Sequence, residues 1–244
     1  MTSNNISYAN KMEQILTFKK RIIGDCLKEL PLIKNIDLII TDPPYNINWN
    51  YGNNVNDNKK NYDEWCLKWA SLCFNTLNKK GVICIINYPE NNNKLFVELV
   101  NKGYNFIQQL IWCYPTNIGH SKKKYTRSYR TILVFSLNKD YTFNPLKQPY
   151  KNLNDKRIKE LIKNGSRGTN LYDVFNINLC KNVSKSKRNK GINQLPDKLV
   201  DILLQSFSDP FDTILDPFMG NGTVINQAEK WGRNGIGIDI NDFR

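Results

Sequence analysis

The chain has 244 residues and a formal net charge of +13, with 35 Lys and Arg against 22 Asp and Glu. This length is enough to bury the core of one α/β domain with a small appendage. The lack of an apolar run of about 18 residues excludes a membrane-spanning helix, and residues 1–5 lack the charged and apolar parts of a secretory signal. We therefore expect a cytoplasmic protein that makes no contact with membranes.

Strand and helix patterns alternate along the first half of the chain. Apolar runs predict strands at residues 22–25, 36–41, 81–87, 106–113 and 131–137, of which the last two form a closing pair. Helical spacing predicts helices at 62–77 and 94–101. The Asn-rich stretch 46–61 has no periodicity and is typical of a mobile loop. Parallel strands joined by crossover helices imply a doubly wound, mostly parallel sheet.

The strand at 36–41 leads into the segment Asp42-Pro43-Pro44-Tyr45. Two prolines remove two N–H donors and fix two φ angles, so the carbonyls in this segment are left to accept hydrogen bonds. The segment thus combines a carboxylate, a carbonyl and a flat ring, which together suit a planar group that carries an NH₂. Ordinary strand-to-loop turns also have such sequences, so a second motif is needed to favour the functional interpretation.

Positive charge is concentrated between residues 116 and 190, where 18 Lys and Arg face 4 Asp and Glu. A lysine-rich genome would spread the excess evenly, so the concentration favours a nucleic-acid-binding face over a merely solvated surface. The candidate phosphate contacts are Lys122, Lys123, Lys124, Arg127, Lys185, Lys187, Arg188 and Lys190. We expect a basic target-recognition insert at 141–191, between the parts 1–140 and 192–244.

The six cysteines share no C-x-x-C spacing and mostly lie in apolar segments, so reduced core thiols are expected. The single histidine, His120, lies beside a lysine run. We expect neither a His-based catalytic triad nor a metal site.

The last part of the chain combines a strand, a glycine turn, a helix and a second strand. A helix with Leu199 and Phe207 on one face precedes the turn. Gly220 and Gly222 allow the backbone to turn tightly and approach a ligand, and the helix after them offers free N–H groups. The second strand ends at Asp239, from where a carboxylate can bind both hydroxyls of a ribose. The series indicates a nucleoside-bearing cofactor, and the lack of a third glycine argues against NAD.

The segments Asp42-Pro-Pro-Tyr45 and Asp216-Pro-Phe-Met-Gly-Asn-Gly222 together resemble the DNA amino-methyltransferases that use S-adenosylmethionine. The catalytic motif precedes the cofactor motif, with a basic stretch between them. This order resembles the permuted beta group, which methylates N6 of adenine or N4 of cytosine. The resemblance covers residues 18–140 and 192–242. It implies a permuted Rossmann-like fold with an inserted basic target-recognition region.

The resemblance also implies roles for single residues. Asp42, Pro43, Pro44 and Tyr45 would be catalytic: Tyr45 would stack on a flipped base, and the Asp42 carboxylate and the Pro43 carbonyl would accept its amino hydrogens. The cofactor would be bound by Asp25, Lys198, Asp216, Phe218, Gly220, Gly222, Thr223 and Asp239. The segment that contributes Lys198 lacks the His that often opens it in the family.

We therefore expect methyl transfer from S-adenosylmethionine to N6 of adenine in double-stranded DNA, within a restriction–modification system. An initial Asp instead of Ser in the tetrapeptide favours adenine in this family. N4-cytosine methylation stays open, and so does a catalytically silent DNA-binding specificity module. A homodimer and a cognate restriction endonuclease are compatible with the resemblance.

Overall fold

The computed structural model describes residues 17–48, 57–115, 122–180 and 194–242. Eight strands form one central sheet in the order β1-β10-β9-β2-β3-β5-β4-β8, and β6 and β7 form a separate pair. The strands are β1 Lys19–Ile23, β2 Ile36–Thr41, β3 Leu77–Asn87, β4 Asn105–Cys113, β5 Tyr129–Ser136, β6 Lys147–Gln148, β7 Thr169–Asn170, β8 Val174–Asn176, β9 Thr213–Asp216 and β10 Asn234–Asp239.

Helices cover both faces of the sheet. They are α1 Cys26–Glu29, α2 Tyr62–Phe74, α3 Pro89–Asn101, α4 Lys156–Lys163, α5 Asp197–Phe207 and α6 Thr223–Lys230, with a 3₁₀ turn at Leu30–Leu32. Alternation along β2 shows the layering, because Ile39 packs in the core with α1, α2 and α3, whereas Leu38 and Ile40 pack with α5 and α6. None of the helices in the described ranges has the length and apolarity that crossing a bilayer requires.

The two carboxyl-terminal strands lie in the middle of the sheet. β9 pairs with β2, with Ile214 opposite Leu38, and β10 pairs with β1, with Gly235 opposite Lys19. The neighbouring strands β1, β10, β9, β2 and β3 are all parallel, and β5 is antiparallel to β3. The predicted doubly wound, mostly parallel fold is therefore confirmed, and the carboxyl ends of five neighbouring strands meet at one edge.

Several element boundaries differ from the prediction. The helix predicted at 62–77 ends at Phe74, and Leu77 already begins β3. The helix predicted at 94–101 begins earlier, at Pro89. Its first turn, Pro-Glu-Asn-Asn-Asn, has no apolar spacing to reveal it, although proline at the first helical position is a known start signal.

The basic insert contributes an edge strand to the central sheet. β8 runs parallel to β4, with Phe175 opposite Trp112, and the Trp112 indole N–H donates to the Ile177 carbonyl at 2.7 Å. Helix α4 begins at the side-chain cap Asp155 and buries none of its residues. The three-residue strand β8 has no clear sequence signal, whereas α4 has apolar residues at helical spacing, Ile158, Leu161 and Ile162, that were not predicted as a helix. The boundaries at 140 and 191 stay a prediction.

Candidate active site

Most of the residues predicted for the site meet at the carboxyl edge of the sheet. A cavity of about 330 Å³ lies there, a size within the range of small-molecule sites. Ten predicted residues line it: Asp25, Asp42, Pro43, Pro44, Tyr45, Asp216, Phe218, Gly220, Thr223 and Asp239. Asp216 and Asp239 end β9 and β10, and Asp25 and Asp42 follow β1 and β2. Parallel, adjacent strands thus bring four carboxylates to one cavity.

Two predicted cofactor residues do not line this cavity. Gly222 is buried just behind the wall and precedes α6 with a φ of +90°. Lys198 lies in the first turn of α5, where its side chain is exposed. The structure therefore brings Gly222 to the glycine loop but does not bring Lys198 to the cavity.

The candidate DNA contacts are described only in part. Lys122, Lys123 and Lys124 are exposed. Arg127 is partly buried: its guanidinium lies 4.0 Å from the centroid of the Tyr88 ring, and it pairs with Glu90. Lys185, Lys187, Arg188 and Lys190 lie outside the described residues, as do residues 49–56 of the predicted loop.

The carboxylate of Asp42 has two partners. Tyr45 donates its hydroxyl hydrogen to Oδ1, and Nη1 of Arg130 lies 3.7 Å from Oδ2. Burial raises the pKa of Asp42, while the charge of Arg130 and the hydrogen bond from Tyr45 lower it. Burial and the Asp42 charge raise the pKa of Tyr45, so Tyr45 is the donor in this bond.

A network of side chains holds the backbone after Asp42. Tyr62 donates its hydroxyl to the Pro44 carbonyl at 2.6 Å, and Asn91 donates to the Tyr45 carbonyl at 3.1 Å. Asn87 connects the two, since it donates to the Tyr62 oxygen and accepts from Asn91.

The Pro43 carbonyl accepts no hydrogen bond from the residues that the structure describes. The network therefore binds the carbonyls of Pro44 and Tyr45. It leaves unbonded the Pro43 carbonyl, which is predicted to accept an amine hydrogen.

Aromatic rings surround this end of the cavity. The rings of Tyr45 and Tyr88 have their centroids 4.6 Å apart at an angle of 52°. The guanidinium carbon of Arg130 lies 4.8 Å from the Tyr45 centroid and 4.9 Å from that of Trp112. Such rings give a flat, apolar surface that suits a planar base.

The glycine loop at the other end of the cavity is held from β1. Arg21 donates to the carbonyls of Gly220 and Asn221 at 3.2 and 3.3 Å. A Cβ atom at Gly222 would lie 2.5 Å from Nη1 of Arg21. Glycine is therefore favoured for two reasons: the positive φ, and the close approach of the arginine, which any side chain at this position would displace.

Asp239 links the glycine loop to the end of β10. Its carboxylate accepts hydrogen bonds from the N–H of Gly220 at 2.8 Å and from the N–H of Asn241 at 3.0 Å. Phe218 adds an apolar wall, with its ring centroid 5.5 Å from that of Trp65 and 5.3 Å from that of Trp69. A carboxylate beside an apolar wall is suited to a group that has both hydroxyls and a flat ring.

Burial raises the pKa of three carboxyl groups in the cavity, Asp42, Asp216 and Asp239. At Asp216 the N–H of Phe218 opposes this rise in pKa, while the neighbouring charges of Asp42 and Asp239 add to it. Perturbed carboxyl groups gathered in one cavity are typical of a functional site. Within the described ranges, no group of three or more His, Cys, Asp or Glu side chains is arranged to hold a metal ion.

Sequence reasoning missed several residues of the site. Arg130 and Tyr88 line the cavity, yet Arg130 counts in the sequence as one more charge of the basic window. Tyr88 directly follows the apolar run 81–87, and an aromatic residue at a strand end is a signal that could have identified it. Arg21 and the network around Tyr62 have no local signal, because their contacts depend on the tertiary fold.

The fold and the cavity define a nucleoside-cofactor-binding α/β protein of the doubly wound class. The DNA methylase family of N6-adenine and N4-cytosine enzymes matches residues 36–244 of the chain. The chain therefore belongs to this family of DNA methylases.

Relatives and solved structures agree with this family. Type II methyltransferase M1.MboII of Moraxella bovis is 31% identical over 231 residues, covering 85% of each chain. DNA adenine methyltransferase YhdJ of Escherichia coli (strain K12) is 30% identical over 234 residues, covering 91% of this chain and 79% of YhdJ.

Among solved structures, the cytosine-N4-specific PvuII DNA methyltransferase has a TM-score of 0.71 at 16% identity, covering 92% of this chain and 83% of its own. The M1.HpyAVI complex with S-adenosylmethionine has a TM-score of 0.63 at 19% identity, covering 92% and 95%.

The methyl donor of this family is S-adenosylmethionine, and the cavity fits it chemically. The Asp239 carboxylate suits ribose hydroxyls, and the apolar wall at Phe218 suits an adenine ring. The first N–H groups of α6 suit a carboxylate, because they have no partner within the helix.

Proposed function

We propose that this protein transfers a methyl group from S-adenosylmethionine to N6 of adenine in double-stranded DNA, as the modification enzyme of a type II restriction–modification system. The observation that supports it most is the pairing of the Asp42 carboxylate with the unused Pro43 carbonyl beside the Tyr45 ring. Two acceptors next to a flat ring match an exocyclic amine. The similarity to M1.MboII, a type II methyltransferase, supports a restriction–modification system. The similarity to YhdJ, a DNA adenine methyltransferase, supports adenine as the target base.

The target amine of a duplex lies in the base-pairing face, so the nucleotide must be flipped into the cavity. Tyr45 would stack on the flipped base. Asp42 and Pro43 would accept the two amino hydrogens, which draws the nitrogen lone pair out of conjugation with the ring. When bound, S-adenosylmethionine supplies an electrophilic methyl group on a sulfonium. The contribution of the protein is therefore positioning and electrostatics, without a covalent intermediate on the base.

The cofactor half of the cavity is proposed to bind S-adenosylmethionine through four side chains and the glycine loop. Asp239 would accept from the ribose hydroxyls, and Asp25 would contact the adenine. Asp25 caps α1, where its Oδ1 accepts from the Leu27 N–H at 3.0 Å, so its second oxygen is the one to face a ligand. Phe218 would pack on the adenine, and Gly220 and Thr223 would flank the anionic end.

The DNA face is proposed to include the exposed Lys122, Lys123 and Lys124. Tyr125, in the same segment, is fully exposed, and aromatic side chains among basic residues suit stacking on bases. The segment leads to Arg127, which packs at the rim of the cavity over Tyr88. The proposed partners are double-stranded DNA and a cognate endonuclease, and a DNA substrate is the reason to propose a cytoplasmic enzyme.

The proposal is tested by incubating the protein with unmethylated genomic DNA and S-adenosylmethionine carrying a deuterated methyl group. Mass spectrometry of the digested nucleosides should show labelled N6-methyldeoxyadenosine. Labelled N4-methyldeoxycytidine instead would replace adenine with cytosine as the target, and no labelled nucleoside would refute the enzymatic function.

The same assay tests the catalytic residue. Asp42→Asn keeps the shape of the side chain and should lower the single-turnover rate by about 10²–10³-fold, the effect of removing one preorganised electrostatic group. Asp63→Asn is a matched control, because Asp63 is an exposed carboxylate that pairs with Lys94 on the protein surface. A folded Asp42→Asn protein that methylates at the parental rate would contradict the assignment.

A further inference from the structure

Arg130 is a buried cation in the wall of the cavity. The side chain of this second residue of β5 is only 6% exposed, and its Nε–H has no hydrogen-bond partner among the described residues. Burying a charge is unfavourable unless a partner compensates it. The nearest opposite charge is Asp42, whose Oδ2 lies 3.7 Å from Nη1.

Four aromatic rings surround the guanidinium of Arg130. Its central carbon lies 4.8 Å from the centroid of Tyr45, 4.9 Å from that of Trp112, and 5.8 Å from those of Tyr88 and Tyr114. Ring faces attract a cation, and more strongly where solvent is excluded. The rings come from the ends of two strands, β3 and β4, and from the Asp42 segment, so the surrounding fold fixes the guanidinium.

The separation between Arg130 and Asp42 has a chemical consequence. At 3.7 Å the guanidinium acts on the carboxylate through its charge, without the short N–H···O contacts of a bidentate pair. A bidentate arginine would occupy acceptor positions on both carboxylate oxygens. Here the surrounding rings keep the guanidinium 3.7 Å from Oδ2 of Asp42, so the lone pairs of Oδ2 can accept from another donor.

We infer that Arg130 is a positioning residue for methyl transfer, which keeps Asp42 ionised while leaving Oδ2, the oxygen that Tyr45 does not bind, able to accept the target amine. This inference rests on the proposed role of Asp42. A protonated Asp42 would carry a hydrogen where the amine needs an acceptor. Arg130 is thus required for the charge of Asp42 and makes no hydrogen bond to the base itself.

The groups that face Asp42 determine the direction of the pH effect. They are Arg130 from β5, Tyr45 from the same segment, and Asp216 from the end of β9. Burial raises the pKa of Asp42, and Arg130 is the charge that opposes this. Activity that needs the carboxylate is lost as the pH falls through this pKa. Removing Arg130 raises the pKa further, so the loss begins at a higher pH.

The test is the pH dependence of single-turnover methylation of genomic DNA, with saturating enzyme and S-adenosylmethionine. Arg130→Met should move the acidic midpoint upward by about one pH unit, the lower end of the effect of an adjacent opposite charge. Its rate near neutral pH should then fall and recover as the pH is raised. Arg130→Lys keeps the positive charge and should keep a midpoint close to the parental one, at a lower maximal rate.

Arg127→Gln is the matched control. Arg127 also lies over the Tyr88 ring, but it pairs with Glu90. Because Arg127 belongs to the proposed DNA face, its loss should weaken DNA binding while the acidic midpoint at saturating enzyme stays unchanged.

The inference is overturned if Arg130→Met is slowed equally at every pH, since a purely structural role gives that result. If Arg130→Met does not fold, Arg130→Lys decides: a parental midpoint supports the inference, and a midpoint moved by one unit or more overturns it. Parental activity of Asp42→Asn would overturn the proposed role of Asp42 as well, and absence of any methylated nucleoside would overturn the proposed function. Low activity of Asp42→Asn with an unmoved Arg130→Met midpoint overturns the inference alone.

Discussion

Replacing Gly222 by alanine should disturb the glycine loop and weaken its binding of S-adenosylmethionine. Gly222 has a φ of +90°, and a Cβ there would lie 2.5 Å from Nη1 of Arg21. The end of an arginine side chain can swing away, so no rigid clash results. The consequence is instead the loss of the hydrogen bonds that Arg21 donates to the carbonyls of Gly220 and Asn221.

Two contributions give the size of the effect of Gly222→Ala on stability. An alanine in the left-handed region costs about 1–2 kcal/mol. The two hydrogen bonds from the guanidinium, at 3.2 and 3.3 Å, are long, so we take about 1.5 kcal/mol for the pair, the lower end for one charged hydrogen bond. The free energy of unfolding should fall by about 3 kcal/mol in total. For a chain of this size that lowers Tm by about 6–12 °C.

Gly103→Ala separates the two contributions. Gly103 also has a positive φ, +84°, but a Cβ there meets no atom within 4 Å. It lies between α3 and β4, at the end of the sheet away from the cavity. Only the backbone term applies, so Tm should fall by about 2–8 °C, and S-adenosylmethionine should bind as tightly as to the parent.

Thermal melts and isothermal titration calorimetry with S-adenosylmethionine measure both effects. Gly222→Ala should raise the Kd at least about tenfold, the equivalent of 1.4 kcal/mol. In an Arg21→Met background, Gly222→Ala should lower stability only by the cost of the left-handed backbone, because the hydrogen bonds that it breaks are already absent. Equal stability loss in Gly222→Ala and Gly103→Ala, with an unchanged Kd, would refute the reasoning.

Two further predictions concern the cofactor and the DNA. Asp239→Ala should weaken S-adenosylmethionine binding by about 1.5–3 kcal/mol, since charged hydrogen bonds are lost. If calorimetry finds the parental affinity, the role of Asp239 is only to accept the hydrogen bond from the Gly220 N–H. Replacing the exposed Lys122, Lys123 and Lys124 by glutamine should reduce the salt dependence of DNA binding by about 0.9 in log–log slope for each lost phosphate contact. Lys102→Gln, beside Gly103, is the control that should leave the slope unchanged, and an unchanged slope in the triple variant would remove these lysines from the DNA face.

The parallel part of the sheet could be predicted from sequence because its signals are local. Asp42, Asp216 and Asp239 each follow or close an apolar run, and the carboxyl ends of parallel strands share one edge. Two glycines close to Asp216 add the turn that a loop at this edge requires. Strand direction therefore places these acids at one edge, and the neighbouring positions of β10, β9 and β2 bring them to one cavity.

The supporting contacts could not be predicted in the same way. Tyr62 and Asn91 hold carbonyls of the Asp42 segment from two helices, and Asn87 at a strand end links these two side chains. Their residue types are ordinary for their elements, and only the tertiary arrangement brings them to the same backbone. Helix α4 was missed for another reason: Ile158, Leu161 and Ile162 have helical spacing, but the charges among them made the segment count only as part of the basic insert.

The antiparallel strand β5 explains why Arg130 was missed. Reasoning from parallel strands looks for functional residues where strands end, and β5 ends at Ser136, away from the cavity. Since β5 runs against β3, Thr131 lies opposite Asn87 at the end of β3. Arg130, just before Thr131, therefore reaches the same edge as Asp42. The start of an antiparallel strand is thus a second place to search for site residues, and here it supplies the cation that a buried carboxylate requires.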